Sequence, residues 1–299
     1  MWEFLSSNPA LLWSATVVLG LIVGSFLNVV IYRLPIMLDR QWRRQCHEYL
    51  VGPGDLAAEP LVGGTSSSEP FNLNTPRSRC PQCGKLIRAW ENIPVVSYLL
   101  LRGRCSGCGT RISPRYPLIE ALTGLMSLIV VWHLGPTWAG GAGLLLTWAL
   151  IALTFIDFDH QLLPDDITLP FLWLGLLISL FAVFTDLRSS LIGAIAGYLS
   201  LWSVYHLFRL FTGKEGMGYG DFKLLGVLGA WLGWQSLPAI ILLSSVVGAV
   251  VGILLIVLRR HGRDIPIPFG PYLAGAGWLA MLWGQNLTEA YLRWSGIMH

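Results

Sequence analysis

The sequence predicts an all-α, polytopic membrane protein with about eight transmembrane helices and one polar insert after the first of them. Three observations carry that prediction. The 299-residue chain is 54% hydrophobic and only 12% charged, about half the charged fraction of an ordinary soluble domain. Its charges leave long gaps: residues 4–32, 121–156, 167–185, 189–208, 224–258 and 265–288 contain no Asp, Glu, Lys or Arg. The only sizeable polar segment, residues 33–116, holds four cysteines in two Cys-x2-Cys pairs.

The elements follow in order from those gaps. A spanning helix needs about 20 predominantly apolar residues, so the first gap gives one span near 9–32. The start, Met1-Trp2-Glu3-Phe4, has no basic leader and no small-residue cleavage site, and is expected to be an uncleaved first span. Two gaps are too long for a single span and are punctuated by Gly135-Pro136 and Pro238. Each is expected to form a helical hairpin, giving spans near 117–134 and 138–158, and near 222–236 and 238–258. The remaining spans are placed near 167–185, 189–211 and 267–287. Pro164 should end the third span, and Asp165 or Asp166 should cap the fourth. The expected organisation is a first helix over 1–36, an insert over 37–116 and a seven-helix membrane core over 117–299. Within the insert, residues 45–75 are rich in Gly, Pro, Ser and acidic residues and suit a flexible connection.

Orientation follows from the basic residues, because short cytoplasmic loops retain Lys and Arg. Of the 20, twelve lie between Arg33 and Arg115. Six more, Arg209, Lys214, Lys223, Arg259, Arg260 and Arg263, fall on the same side of the predicted spans, and only Arg188 and Arg293 fall opposite. The insert is therefore expected in the cytoplasm and both termini outside. No nucleic-acid partner is expected.

Cys80-Pro81-Gln82-Cys83 is followed after 21 residues by Cys105-Ser106-Gly107-Cys108. Gly84 and Gly109 come directly after the pairs, as tight knuckle turns require. Two Cys-x2-Cys pairs make a tetrahedral zinc pattern, with Cys80, Cys83, Cys105 and Cys108 as ligands. Two disulfides are the alternative, disfavoured in a reducing cytoplasm, and an iron–sulfur cluster would use the same ligands. Four thiolates leave no open coordination position, which points to a structural metal. Cys46 has no partner in the pattern.

Two carboxylates remain where predicted spans meet the cytoplasmic side. Asp157 falls in the last turn of the third span, within Ile156-Asp157-Phe158-Asp159-His160-Gln161-Leu162-Leu163-Pro164-Asp165. Asp221 opens the sixth, within Gly218-Tyr219-Gly220-Asp221-Phe222-Lys223. An ionisable group at that depth is costly and is by default a candidate functional site. Two on one face suit paired acid–base chemistry. A lone Asp at a helix end is more often a cap, and Asp159, Asp165, Asp166 and His160 are assigned as caps or interfacial polar residues. Asp159, Asp165, Asp166 and Glu215 could instead attract a basic substrate segment, or form a solvated rim.

The chain resembles the bacterial type IV prepilin peptidases, intramembrane aspartic proteases. The likeness runs through Gly24-Ser25-Phe26-Leu27-Asn28-Val29, Tyr32-Arg33-Leu34-Pro35, the four cysteines, Glu91-Asn92-Ile93-Pro94, Arg115-Tyr116-Pro117 and Glu120. It continues through both aspartate segments and Pro266-Ile267-Pro268-Phe269-Gly270-Pro271-Tyr272. The resemblance implies that Asp157 and Asp221 are the catalytic pair. It implies a bacterial inner-membrane enzyme that removes the basic leader of type IV prepilins and type II secretion pseudopilins at the cytoplasmic face. It also implies methylation of the new N-terminus with S-adenosylmethionine. The helix ends predict that Asp157, at a C-terminus, holds the shared proton while Asp221, at an N-terminus, starts as base. Lys223 is expected to point elsewhere. A proton-coupled carrier or a zinc-bearing scaffold would use the same features without peptidase activity.

Overall fold

A computed structural model describes residues 8–51, 71–214, 216–259 and 268–294. Most of the expected flexible connection, Glu215, Arg260, Arg263 and the start of the last segment of the resemblance at Pro266-Ile267 lie outside the described residues. The described chain is helical, with only two isolated β-bridges, Arg79 with Leu86 and Arg104 with Arg111. The helices are α1 (Pro9–Val51), α2 (Val96–Leu100), α3 (Arg115–Leu134), α4 (Trp138–His160), α5 (Asp165–Ser179), α6 (Leu187–Thr212), α7 (Tyr219–Leu232), α8 (Leu237–Arg259) and α9 (Gly270–Trp294). All but the short α2 answer to the eight expected spans.

The chain divides into two compact units, one of Met1–Gly20 with Thr123–His299, the other of Leu21–Leu122. In the larger unit the centre is α7. Its Phe222, Leu224, Leu225, Leu228 and Ala230 are fully buried, as befits a helix apolar on every side. It lies against α6 at backbone distance: a Cβ on Gly229 would stand 2.1 Å from the Gly193 carbonyl, and one on Gly193 2.3 Å from the Gly229 carbonyl. Small residues permit such approach where helices must associate by close packing. The Trp231 indole fills the space left by Gly175 of α5 and donates to the Phe171 carbonyl at 2.8 Å. Leu146, Leu150 and Leu153 of α4 and Leu273, Ala274 and Met281 of α9 complete this core.

Among the described residues, five helical segments are long and apolar enough to cross a membrane: Pro9–Leu50, Arg115–Leu134, Trp138–His160, Leu187–Thr212 and Trp234–Leu255. The outward face of α8 exposes Leu242, Val246, Val250, Ile253 and Val257, an apolar surface that hydrocarbon, rather than water, would cover. Three expectations are revised. α1 does not stop near residue 36 but runs through Pro35 to Val51; beyond the apolar run it is a solvated helix, with Asp39 and Arg43 paired at 2.8 Å one turn apart. α5 and α7 have only 15 and 14 residues, lengths of about 22 Å that fall short of a bilayer core of about 30 Å. The second hairpin turns at Gly233, φ +82°, leaving Pro238 in the first turn of α8, where a missing N–H costs nothing. The first hairpin turns at Gly135, and Thr137 caps α4 by accepting from Gly140 N.

Candidate active site and candidate metal centre

In the larger unit, three helix ends converge on Asp157 and Asp221. Asp157 is in the last turn of α4, which Gln161 closes in the left-handed conformation, its amide bonded to the Asp157 carbonyl at 2.9 Å. Asp221 is the third residue of α7, after the N-cap Gly218. Its carboxylate folds back over that cap: a Cβ on Gly218 would be 3.8 Å from Asp221 Oδ2. Both side chains are buried, 5% and 6% exposed. Leu163 wedges beside them; Cβ atoms added at Gly220 and Gly270 would stand 2.7 Å and 3.3 Å from its side chain. The third helix end is the start of α9, whose Gly270 amide donates to Asp157 Oδ2 at 3.1 Å.

That last contact alters the electrostatics expected from sequence. By its own helix Asp157 sits at a negative C-terminal end, yet its carboxylate is held by the positive N-terminal end of α9. Asp221 occupies the first turn of α7. Both carboxylates thus face helix N-termini, and the asymmetry that assigned the shared proton to Asp157 disappears.

The neighbouring ionisable residues sort differently. Asp159, His160, Asp165 and Asp166 are exposed. Neither Asp165 nor Asp166 caps α5: the N-cap is Pro164, already extended at φ −61°, ψ 133°, with no side-chain cap bond. Its carbonyl instead accepts from the Thr168 hydroxyl at 3.2 Å. Asp165 is taken up by Lys223, whose Nζ donates to both its oxygens at 2.6 Å and 2.8 Å. Lys223 therefore points away from Asp221, as expected, and ties the start of α7 to the first turn of α5.

The smaller unit holds the cysteines. Gly84 and Gly109 take left-handed φ values of +68° and +71°, each amide closing a turn onto the carbonyl of the first cysteine, Cys80 or Cys105. The four Sγ atoms lie within 4.8 Å of one another, with Cys80 and Cys108 3.8 Å apart and Cys83 and Cys105 3.9 Å apart. Zinc–sulfur bonds of about 2.3 Å in a tetrahedron give sulfur–sulfur edges of about 3.8 Å. None of the four is in a disulfide. The amides of Cys83 and Gln82 hold the Cys80 thiol below its ordinary value. Cys83, despite the Lys85 amide, is pushed up to about 11 by desolvation and the adjoining sulfurs. Thiolates so close repel, and a bound cation is what allows all four to ionise. The donor set and spacing fit a tetrahedral metal.

Around this site the residues that carried the resemblance make structural ties. Glu91 accepts from the Arg88 amide at 2.9 Å and from the Ser106 hydroxyl, with Lys85 Nζ 3.6 Å away, so the two knuckles are joined. Buried Glu120 accepts from the Val95 amide at 2.7 Å, holding Val95 at φ +58°. Buried Arg33 donates to the carbonyls of Asn72 and Pro76 at 2.9 Å and 2.6 Å. Gly270 was not singled out from the sequence. Its only signal was its place within Pro266-Ile267-Pro268-Phe269-Gly270-Pro271-Tyr272, one of the segments of the resemblance, with no role attached to it.

Residues 18–134 match the bacterial peptidase A24 N-terminal domain, and residues 144–253 match the type IV leader peptidase family. Three similar proteins are each named prepilin leader peptidase/N-methyltransferase. The one from Stutzerimonas stutzeri is 58% identical and the one from Pseudomonas aeruginosa 55%, each alignment covering 98% of both chains. The one from Aeromonas hydrophila is 57% identical over 97% of both chains. No solved structure matches the chain.

Proposed function

The chain belongs to the type IV leader peptidase family, and we propose that it is a bifunctional prepilin leader peptidase and N-methyltransferase of the bacterial inner membrane, with Asp157 and Asp221 as the peptidase pair. One observation supports the assignment of the pair: two buried carboxylates from separate helices, α4 and α7, are brought to the same Leu163, which packs against Gly220 beside Asp221 and against Gly270, whose amide holds Asp157. One carboxylate accepts a proton from water as the water attacks the scissile carbonyl. The other, protonated, donates to the developing oxyanion and then to the leaving amine. In this mechanism the two carboxylates share one proton, so the pair would titrate as a unit.

The substrates are type IV prepilins and the pseudopilins of type II secretion. A basic leader in the cytoplasm followed by an apolar helix places the cut at the cytoplasmic interface, where the basic-residue distribution puts both aspartates. The termini then lie in the periplasm. S-adenosylmethionine is the methyl donor for the new N-terminus. The metal is zinc, held by Cys80, Cys83, Cys105 and Cys108, where it cross-links two knuckles and leaves no position for substrate.

Mass spectrometry of a prepilin incubated with the purified protein and S-adenosylmethionine tests both activities. Loss of the leader and gain of one methyl group with wild type, and no cleavage with Asp157→Asn or Asp221→Asn, is the expected result. Cleavage surviving both substitutions would falsify the pair, and no cleavage by wild type would leave the chain a scaffold or carrier.

A further inference from the structure

We propose that Gly270 is a positioning residue for Asp157: its backbone amide fixes one carboxylate oxygen, and only a residue without a side chain lets that oxygen reach the amide. The proposal rests on Asp157 being one of the two peptidase carboxylates. Gly270 is the first residue of α9, so its N–H has no acceptor within the helix. It donates instead to Asp157 Oδ2 at 3.1 Å, in a buried contact across 113 residues of sequence. The rest of that turn cannot substitute for it. Pro271 has no N–H, and the amides of Tyr272 and Leu273 are both committed to the Phe269 carbonyl at 3.1 Å and 3.2 Å.

The absence of a side chain is as specific as the amide. A Cβ at position 270 would stand 2.5 Å from Asp157 Oδ2 and 3.2 Å from its Cγ, with Leu163 Cδ1 at 3.3 Å. The atom it would strike first is the oxygen that the amide holds. Any larger residue therefore breaks this hydrogen bond by displacing the carboxylate, while the helix start itself demands nothing of glycine, because no left-handed φ is needed there. With Oδ2 held, Oδ1 is the oxygen left to exchange a proton with water and with Asp221. The start of α9 acts through Asp157 and touches no reacting atom itself.

The test uses the full chain reconstituted in lipid and a peptide substrate with a basic leader and an apolar segment. Cleavage kinetics and thermal midpoints are compared for wild type, Gly270→Ala, Asp157→Ala and the double variant. Gly270→Ala should lower kcat by about a hundredfold, the scale of an ångström-level misplacement, with KM within about twofold of wild type, as for an interaction made only in the transition state. It should also lower the midpoint in the wild-type background but not in Asp157→Ala, where the struck carboxylate is gone. Unchanged kcat in Gly270→Ala overturns the proposal. So does an equal loss of midpoint in both backgrounds, which would place the requirement for glycine on Leu163 or the fold. If Asp157→Ala alone keeps full cleavage, the underlying peptidase reading fails, and that result is read without any Gly270 variant. Should Gly270→Ala be too unstable to assay singly, restored folding in the double variant still reports the coupling.

Discussion

At the residue scale the proposed chemistry depends on where two carboxylates are kept. Asp157 and Asp221 are 5% and 6% exposed, so most of each carboxylate is withdrawn from solvent. Asn at either position preserves size and hydrogen bonding but removes the proton exchange. Each substitution should lower kcat for leader cleavage by about 10²–10⁴-fold, the contribution of a positioned acid or base, with substrate binding little changed. Peptide-cleavage kinetics in lipid would check this, and a loss confined to KM would move the assignment elsewhere. Both aspartates were legible in the sequence because an unpaired charge at the edge of an apolar run is conspicuous. Their shared surroundings were not. Gly270 is 113 residues from Asp157, and Lys223 is 58 from Asp165, and neither separation leaves a periodic trace.

At the element scale the short central helix α7 is held by contact rather than by length. The reciprocal approach of Gly193 and Gly229 leaves no room for a methyl group, since each Cβ would fall within 2.3 Å of the opposite carbonyl. Gly229→Ala should therefore destabilise the larger unit by about 1–3 kcal/mol, as overpacking does, despite the better helix propensity of Ala. A lower thermal midpoint in detergent is the expected reading, and an unchanged one would mean that α6 and α7 separate easily. The start of α6 gives a pH dependence. Asp186 caps it by accepting from the Ser189 amide at 3.0 Å, and the Ser189 hydroxyl and amide hold its carboxyl below the usual range. A depressed folded value means that the cap's contribution is full above the unfolded value and is lost as pH falls through the folded one. Asp186→Asn should flatten the acid side of the stability–pH curve; a curve superimposable on wild type would show that the cap contributes nothing.

At the scale of the whole molecule, the insert is a small fold with few buried apolar residues, and a metal on its four cysteines would supply what its core does not. Stripping with a chelator, or Cys105→Ser, should abolish binding of about one zinc per chain and open the segment around residues 77–112 to protease while the membrane helices stay protected. Elemental analysis with limited proteolysis checks both parts. Full metal content in Cys105→Ser, or an insert that resists protease without metal, would remove the structural role.

The sequence by itself determined the all-helical membrane class of this protein, the order of its helices and the four-cysteine cluster, and it pointed to the two aspartates. Each of these is written in local terms: charge-free length, Pro and Gly punctuation, and Cys spacing. Only the tertiary structure decided that α5 and α7 are too short to span alone, that α1 continues past its apolar run, and that Asp165 pairs with Lys223 instead of capping. It also decided that the start of α9 holds Asp157, cancelling the bias expected from the end of α4. The physical reason is common to all of these. A helix dipole, a carboxylate and a missing side chain act on whatever lies within a few ångströms, and that neighbour is chosen by packing across the whole chain.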